Sequence, residues 1–128
     1  MQGKGSKNKG ANGEREFASL LVSYGFEARR QGRQFFNMDG SREHQDVEHN
    51  VPGIHFEVKR CERVEIEKWI KQAEDEVVNQ GEERMPVVAW RRNRKPWRVA
   101  MDADDFLFIL TDYLRLLEKE SQNESLSP

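Results

Sequence analysis

The sequence predicts an α/β domain: a single mixed five-stranded β-sheet flanked by helices, in the order α-β-β-β-α-β-β-α. Three observations carry this. Apolar residues recur at helical spacing in three separate stretches. Short alternating or continuous apolar runs, as strands require, lie between them. One of the helical stretches separates two strands, and such a crossover permits a parallel pair, while tight turns elsewhere imply antiparallel ones. With 128 residues the chain holds one domain and one modest core.

Residues 1–12, MQGKGSKNKGAN, are rich in Gly, Lys and Asn and have no apolar side chain between Met1 and Ala11. They read as a flexible basic arm. Asn12 or Gly13 can cap a helix starting at Glu14, whose charge suits the helix N-terminus. Phe17, Leu20, Leu21 and Tyr24 follow as a buried stripe, and Gly25 ends the helix. Phe26–Arg30 reads as a strand. Gln31–Glu43 reads as a polar loop with an aromatic pair, Phe35 and Phe36, for which packing on the domain is the plain role.

Asp46–Lys59, DVEHNVPGIHFEVK, reads as two strands around a turn at Val51-Pro52-Gly53. Alternation sends Ile54, Phe56 and Val58 toward a core and His55, Glu57 and Lys59 to the other face. Residues 64–79 form a helix with Ile66, Trp69, Ile70, Ala73 and Val77 inside and glutamates outside, closed by Gly81. Met85–Trp90 is apolar enough for a central strand buried on both faces. A basic turn, Arg91–Pro96, precedes a strand at Trp97–Met101. Asp102 or Asp104 caps a final amphipathic helix bearing Phe106, Ile109, Leu110, Tyr113, Leu114 and Leu117, and Ser121–Pro128 forms a polar tail. The folded domain is thus expected to span residues 13–120, between the flexible basic arm at 1–12 and a disordered tail at 121–128.

No apolar run is long enough for a membrane span. Cys61 is the single cysteine, so no internal disulfide forms and a reducing, cytoplasmic setting is expected. The net charge of −2 hides an uneven distribution. Residues 85–100 carry five Lys/Arg and no acid, whereas residues 61–84 carry four against eight and residues 101–128 two against seven. A local patch of this kind can hold phosphate whatever the global sum; an ordinary solvated surface explains each patch equally well.

Asp46 and Glu57 are two carboxylates on neighbouring strands, and Lys59 follows Glu57 on the same face. In a strand, residues two apart are separated by about 6–7 Å. Hard divalent cations such as Mg²⁺ are held by one or two carboxylates plus water and substrate phosphate. The Val58 carbonyl is a further oxygen. A lysine beside such a cation can orient a water or balance developing negative charge. The set suits metal-dependent phosphodiester hydrolysis, although a Glu-x-Lys triplet alone is also what a solvated ion pair looks like.

Taken together, the residues resemble the PD-(D/E)xK nuclease superfamily, and within it the archaeal-type Holliday junction resolvases and their phage relatives. The matching pieces are Lys9-Gly-Ala-Asn-Gly-Glu-Arg-Glu16, Leu20-Leu21, Gly25-Phe26, Asp46-Val47, Ile54-His-Phe-Glu-Val-Lys-Arg60, the helix with Gln72, Pro86–Arg92 and Trp97-Arg-Val, over roughly residues 9–110. Gln45 stands where the superfamily's name has proline. The resemblance implies a restriction-endonuclease-like core with Glu14, Asp46, Glu57 and Lys59 as catalytic residues. Asp46, Glu57 and the Val58 carbonyl would hold Mg²⁺, with Mn²⁺ able to substitute, and Glu14 would join through water. It also implies a homodimer cutting four-way DNA junctions, with no membrane and no nucleotide cofactor. Another nuclease of the superfamily acting on duplex, flap or single-stranded DNA, or a non-catalytic DNA-binding module of the same fold, are the competing readings.

Candidate phosphate contacts are Lys4, Lys7 and Lys9 on the arm, Arg15, Arg29, Arg30 and Arg33, and Arg91, Arg92, Arg94 and Lys95 in the basic turn. Trp90 and Trp97 are core candidates. Gln72 has a solvent role at least as good as a site role. His44, His49 and His55 fit no compact zinc spacing. His55 shares the face of Glu57, and His49 reads as a turn histidine.

Overall fold

The computed structural model describes residues 4–30, 47–81 and 83–126. Its elements are α1 (Lys4–Ser23), β1 (Ala28–Arg30), β2 (Val47–His49), β3 (Ile54–Arg60), α2 (Ile66–Gln80), β4 (Met85–Arg91), β5 (Arg98–Ala100) and α3 (Ala103–Leu126). The order is the one the periodicities predict. The single five-stranded sheet is not: the described strands form a two-stranded sheet, β1-β2, and a three-stranded sheet, β3-β4-β5. β1 and β2 pair antiparallel over only three residues each, and the strand read as the first arm of a hairpin with β3 hydrogen-bonds to β1 instead. Pro52 and Gly53, the latter at φ +71°, still turn the chain between β2 and β3. The two remain neighbours, with the His49 and Phe56 rings 4.9 Å apart edge to face.

β3 and β4 pair parallel from Ile54↔Met85 to Arg60↔Arg91, joined by α2 as crossover. β5 then returns antiparallel against β4. β4 is the middle strand, and Val87, Val88 and Ala89 are buried on both faces, as its continuous apolar run requires.

The core lies in two layers. On one face of the sheet α1 places Phe17, Ala18 and Leu21 against Val47, Val58 and Ala89, with Phe56 and Trp97 joining. Phe17 meets Phe56 at 5.0 Å and Trp97 at 5.3 Å between ring centres. On the other face α2 packs Trp69 and Ala73 on Val88, flanked by Ile66, Ile70, Trp90, Ala100 and Cys61.

Both terminal helices extend beyond their expected limits. α1 begins at Lys4 and not at Glu14, so the segment read as an arm is helical from there on. No proline interrupts residues 4–23, and Lys and Ala favour helix enough to carry Gly5, Gly10 and Gly13. Gly13 is therefore not a cap. It is buried inside the helix, and a β-carbon there would come within 2.6 Å of Arg60 Cβ on β3. The Gly13→Ala variant is expected to lose about 1–2 kcal/mol by overpacking, net of the helix preference of alanine; a chemical denaturation midpoint unchanged or raised would show that the helix does not sit this close to β3. At the helix end Tyr24 is exposed, not buried, because the chain leaves the helix before it; Gly25, at φ +94°, and a Phe26 N–H to Leu21 carbonyl bond of 3.2 Å close the turn. α3 runs through Ser121 to Leu126, so the expected polar tail is helical over most of its length.

The expected stripe of α3 forms, yet it is not buried. Phe106, Leu107, Phe108, Ile109, Leu110, Tyr113, Leu114, Leu116 and Leu117 are all 36–60% exposed, and α3 packs extensively on no other described element. No described helix is long and apolar enough to cross a membrane.

Candidate metal and nuclease site

β3 carries the site. Phe56 and Val58 face α1, and His55 and Glu57, between and before them, face α2. Burial of the two polar side chains is nearly complete, at 3% and 5% exposure. A buried carboxylate is costly unless charge and hydrogen bonds compensate it. Lys59 supplies part of this: its Nζ lies 3.2 Å from Glu57 Oε1. In the parallel ladder Lys59 stands beside Trp90, whose ring is 6.3 Å from that of Trp69, so the pair rests against an aromatic wall.

The third acid of this face comes from α2. Glu76 Oε2 is 2.8 Å from His55 Nε2. An ionised carboxylate only accepts, so Nε2 is the donor in this contact. Ligand atoms of His55, Glu57 and Glu76 all lie within 4.8 Å of one another. Two carboxylates and an imidazole at this separation can converge on one divalent cation, and oxygen-rich donors of this kind suit Mg²⁺ or Mn²⁺. By charge alone Glu76 reads as one of the outer glutamates of its helix. The signal was present: Trp69, Ala73 and Glu76 stand at i, i+4, i+7, which places Glu76 on the buried stripe. Gln72, by contrast, is exposed.

Glu57 and Lys59 are therefore brought together as expected. Glu14, on α1, accepts from Arg30 Nε at 2.8 Å. Asp46 and Arg33 lie outside the described residues, as do Phe35, Phe36 and His44. Of Lys4, Lys7 and Lys9 only the helical backbone is described. The remaining candidate cations divide. Arg91 donates to Glu16 Oε2 at 2.7 Å and to the Lys95 carbonyl, which turns it into the fold. Arg60 shares the same Glu16 at 3.6 Å. Arg29 is exposed and bound to Glu48 at 2.6 Å. Arg15, exposed, donates to Asn12 at 3.2 Å. Arg92, Arg94 and Lys95 lie on the surface, Arg92 within 3.9 Å of Glu62 and Arg94 in the left-handed region at φ +61°.

His49 is more than a turn residue. Its Nδ1 accepts from the Val51 N–H at 3.1 Å, so it holds the reversal that leads into β3. Burial, then the charges of Arg84 and His55, lower its pKa from 6.5. The neutral ring is the folded form, so its contribution to stability is complete above pH 6.5 and is lost as pH falls through the lower folded value. Between pH 7 and pH 5 the thermal midpoint of His49→Gln is expected to fall less steeply than that of the parent chain; parallel slopes would mean that His49 does not titrate with unfolding.

A mixed α/β domain with a buried acid and a lysine two residues apart on a strand paired parallel to the central one has the build of a phosphodiesterase of the PD-(D/E)xK type. A family model described as "Phage putative PDDEXK endonuclease" matches residues 5–124. The chain belongs to that family, and so to the PD-(D/E)xK nuclease superfamily. A search of curated proteins finds no match to it. The family makes DNA the substrate class and a divalent metal the usual partner.

Proposed function

We propose that this chain is a Mg²⁺-dependent, structure-selective DNA endonuclease that resolves four-way junctions as a homodimer. The observation that carries the reading is the buried Glu57–Lys59 pair with Glu76 and His55 beside it, in a chain of an endonuclease family. Glu57, with Asp46 and the Val58 carbonyl, would hold the cation. A cation so bound supplies charge neutralisation on the phosphate and an activated water.

The chain's own groups have separable tasks in this reading. The Glu57 carboxylate would hold the cation, and its burial, at 5% exposure, would limit competing water. The Lys59 ammonium, 3.2 Å from Glu57, would face the scissile phosphate and balance the negative charge that develops there. His55 and Glu76 brace one another behind Glu57 and restrict its rotamer. Arg15, Arg29, Arg92, Arg94 and Lys95 are the exposed cations proposed to meet backbone phosphates, with Lys4, Lys7, Lys9, Arg30, Arg33 and Arg91 as further candidates. Selection by backbone geometry and not by base edges fits this set.

The test is cleavage of labelled four-way junction, duplex, flap and single-stranded DNA with Mg²⁺, with Mn²⁺ or with EDTA. Paired symmetric nicks on the junction alone, absent in EDTA and in Asp46→Asn, are the expected result. Equal cutting of duplex would replace the resolvase reading by a general nuclease. Binding without cutting under either metal would replace it by a DNA-binding module.

A further inference from the structure

We infer that α3 is a self-association surface, and that its exposed apolar face packs against α3 of a second copy of this chain. The inference rests on the homodimer of the proposed function and names the surface that forms it, and it uses no residue of the site. Four apolar positions of the helix recur at a spacing of seven: Phe106 and Tyr113, Leu107 and Leu114, Ile109 and Leu116, Leu110 and Leu117. A seven-residue repeat keeps one seam in register along two like helices, which is the requirement for mutual interdigitation. Phe106, Leu110, Tyr113 and Leu117 form the centre of the seam at alternating spacings of four and three.

The size of the face matches what a dimer buries. Eight side chains on and beside the seam (Phe108 lies on the opposite side), about half exposed and at roughly 200 Å² each, leave on the order of 800 Å² of apolar surface in water, matching the ~800 Å² per partner of a standard interface. A monomer rarely leaves a contiguous patch of more than roughly 300–600 Å² uncovered.

Charge narrows the choice of occupant. The polar side of α3 carries Asp104, Asp105, Asp112 and Glu118 against Arg115 and Lys119, and beyond the last apolar turn Glu120 and Glu124 add further negative charge. Such a helix is repelled by DNA and by anionic bilayers, so neither polyanion is its counterpart. An apolar, self-repeating seam with an acidic back fits a like helix, packed about a twofold axis.

The experiment is sedimentation velocity of the full chain from about 1 to about 100 µM, without DNA, beside Leu110→Glu/Leu114→Glu. The parent chain is expected to sediment as a dimer, and the variant to raise the dissociation constant at least ~30-fold. All three tryptophans lie outside α3, so their fluorescence reports whether the domain core of the variant is intact. A second variant, Asp112→Asn, on the polar side, is expected to dimerise like the parent. A parent chain that stays monomeric at every concentration overturns the inference, as does a dimer that the double variant, its core intact, leaves unchanged.

Discussion

Replacing Glu57 by glutamine is expected to lower DNA cleavage by at least about a hundredfold while leaving the domain folded. The swap keeps the shape of a side chain that is only 5% exposed, so packing on α2 and β4 is retained. What is lost is the negative charge. An amide oxygen is a poor ligand for a hard divalent cation, and it no longer draws the Lys59 ammonium from 3.2 Å. Stability should change little, or rise, because an ionised carboxylate at this depth is costly without its cation. The two readouts separate the roles. Cleavage within threefold of the parent, at an unchanged thermal midpoint, would remove Glu57 from the chemistry. A collapse of stability would make it a structural acid instead. Lys59→Met provides the complementary measurement: binding of junction DNA kept, turnover reduced.

Truncating Trp69 to alanine is expected to have the largest effect on stability, about 3–5 kcal/mol. Trp69 is 3% exposed and fills the space between α2, Val88 and Trp90. Ala73, fully buried one turn on, offers nothing that could move in to fill the gap. Out of a total of roughly 5–15 kcal/mol such a loss is a large fraction, and the thermal midpoint should drop by ~10 °C or more. Trp69→Phe should recover most of it. A drop of only a degree or two would mean that α2 does not seal this face of the sheet. The effect reaches the site as well, because Glu76 lies two turns further along the same stripe and its contact with His55 depends on where α2 sits.

Much of this was legible in the order of apolar residues. The run Met85–Trp90 could only be a central strand, and the alternation in Ile54–Lys59 correctly set Phe56 and Val58 apart from Glu57 and Lys59. Local patterns fix which face a side chain takes, and the E-x-K pair is local. Pairing partners are not. Nothing in Val47-Glu48-His49 says that β2 bonds to β1 and leaves β3 to β4, since that depends on which edges meet after collapse. Glu76 shows the same limit. It was counted by its charge as an outward residue, although its spacing from Trp69 and Ala73 put it on the inner stripe. The exposed face of α3 was equally unreadable, for a stripe announces that something covers it and not what. Gly13 looked like punctuation between an arm and a helix, whereas its missing side chain accommodates Arg60 across the helix–sheet contact.

The parallel ladder has a consequence for when the chain becomes dangerous to DNA. Each β3 residue bonds across to a partner further on by 31 positions, from Ile54↔Met85 to Arg60↔Arg91. Closing so long a connection precedes any reward from the contacts, which makes this a late event in folding. A nascent chain that has reached Lys59 already contains the whole E-x-K triplet, yet it has neither β4 beside it nor α2 above it. Its carboxylate is then a solvated acid with no fixed geometry. On the proposed reading, the geometry to hold a cation and a phosphate would arrive only with the complete sheet, and a fragment that stops at Lys59 would carry the triplet without that geometry.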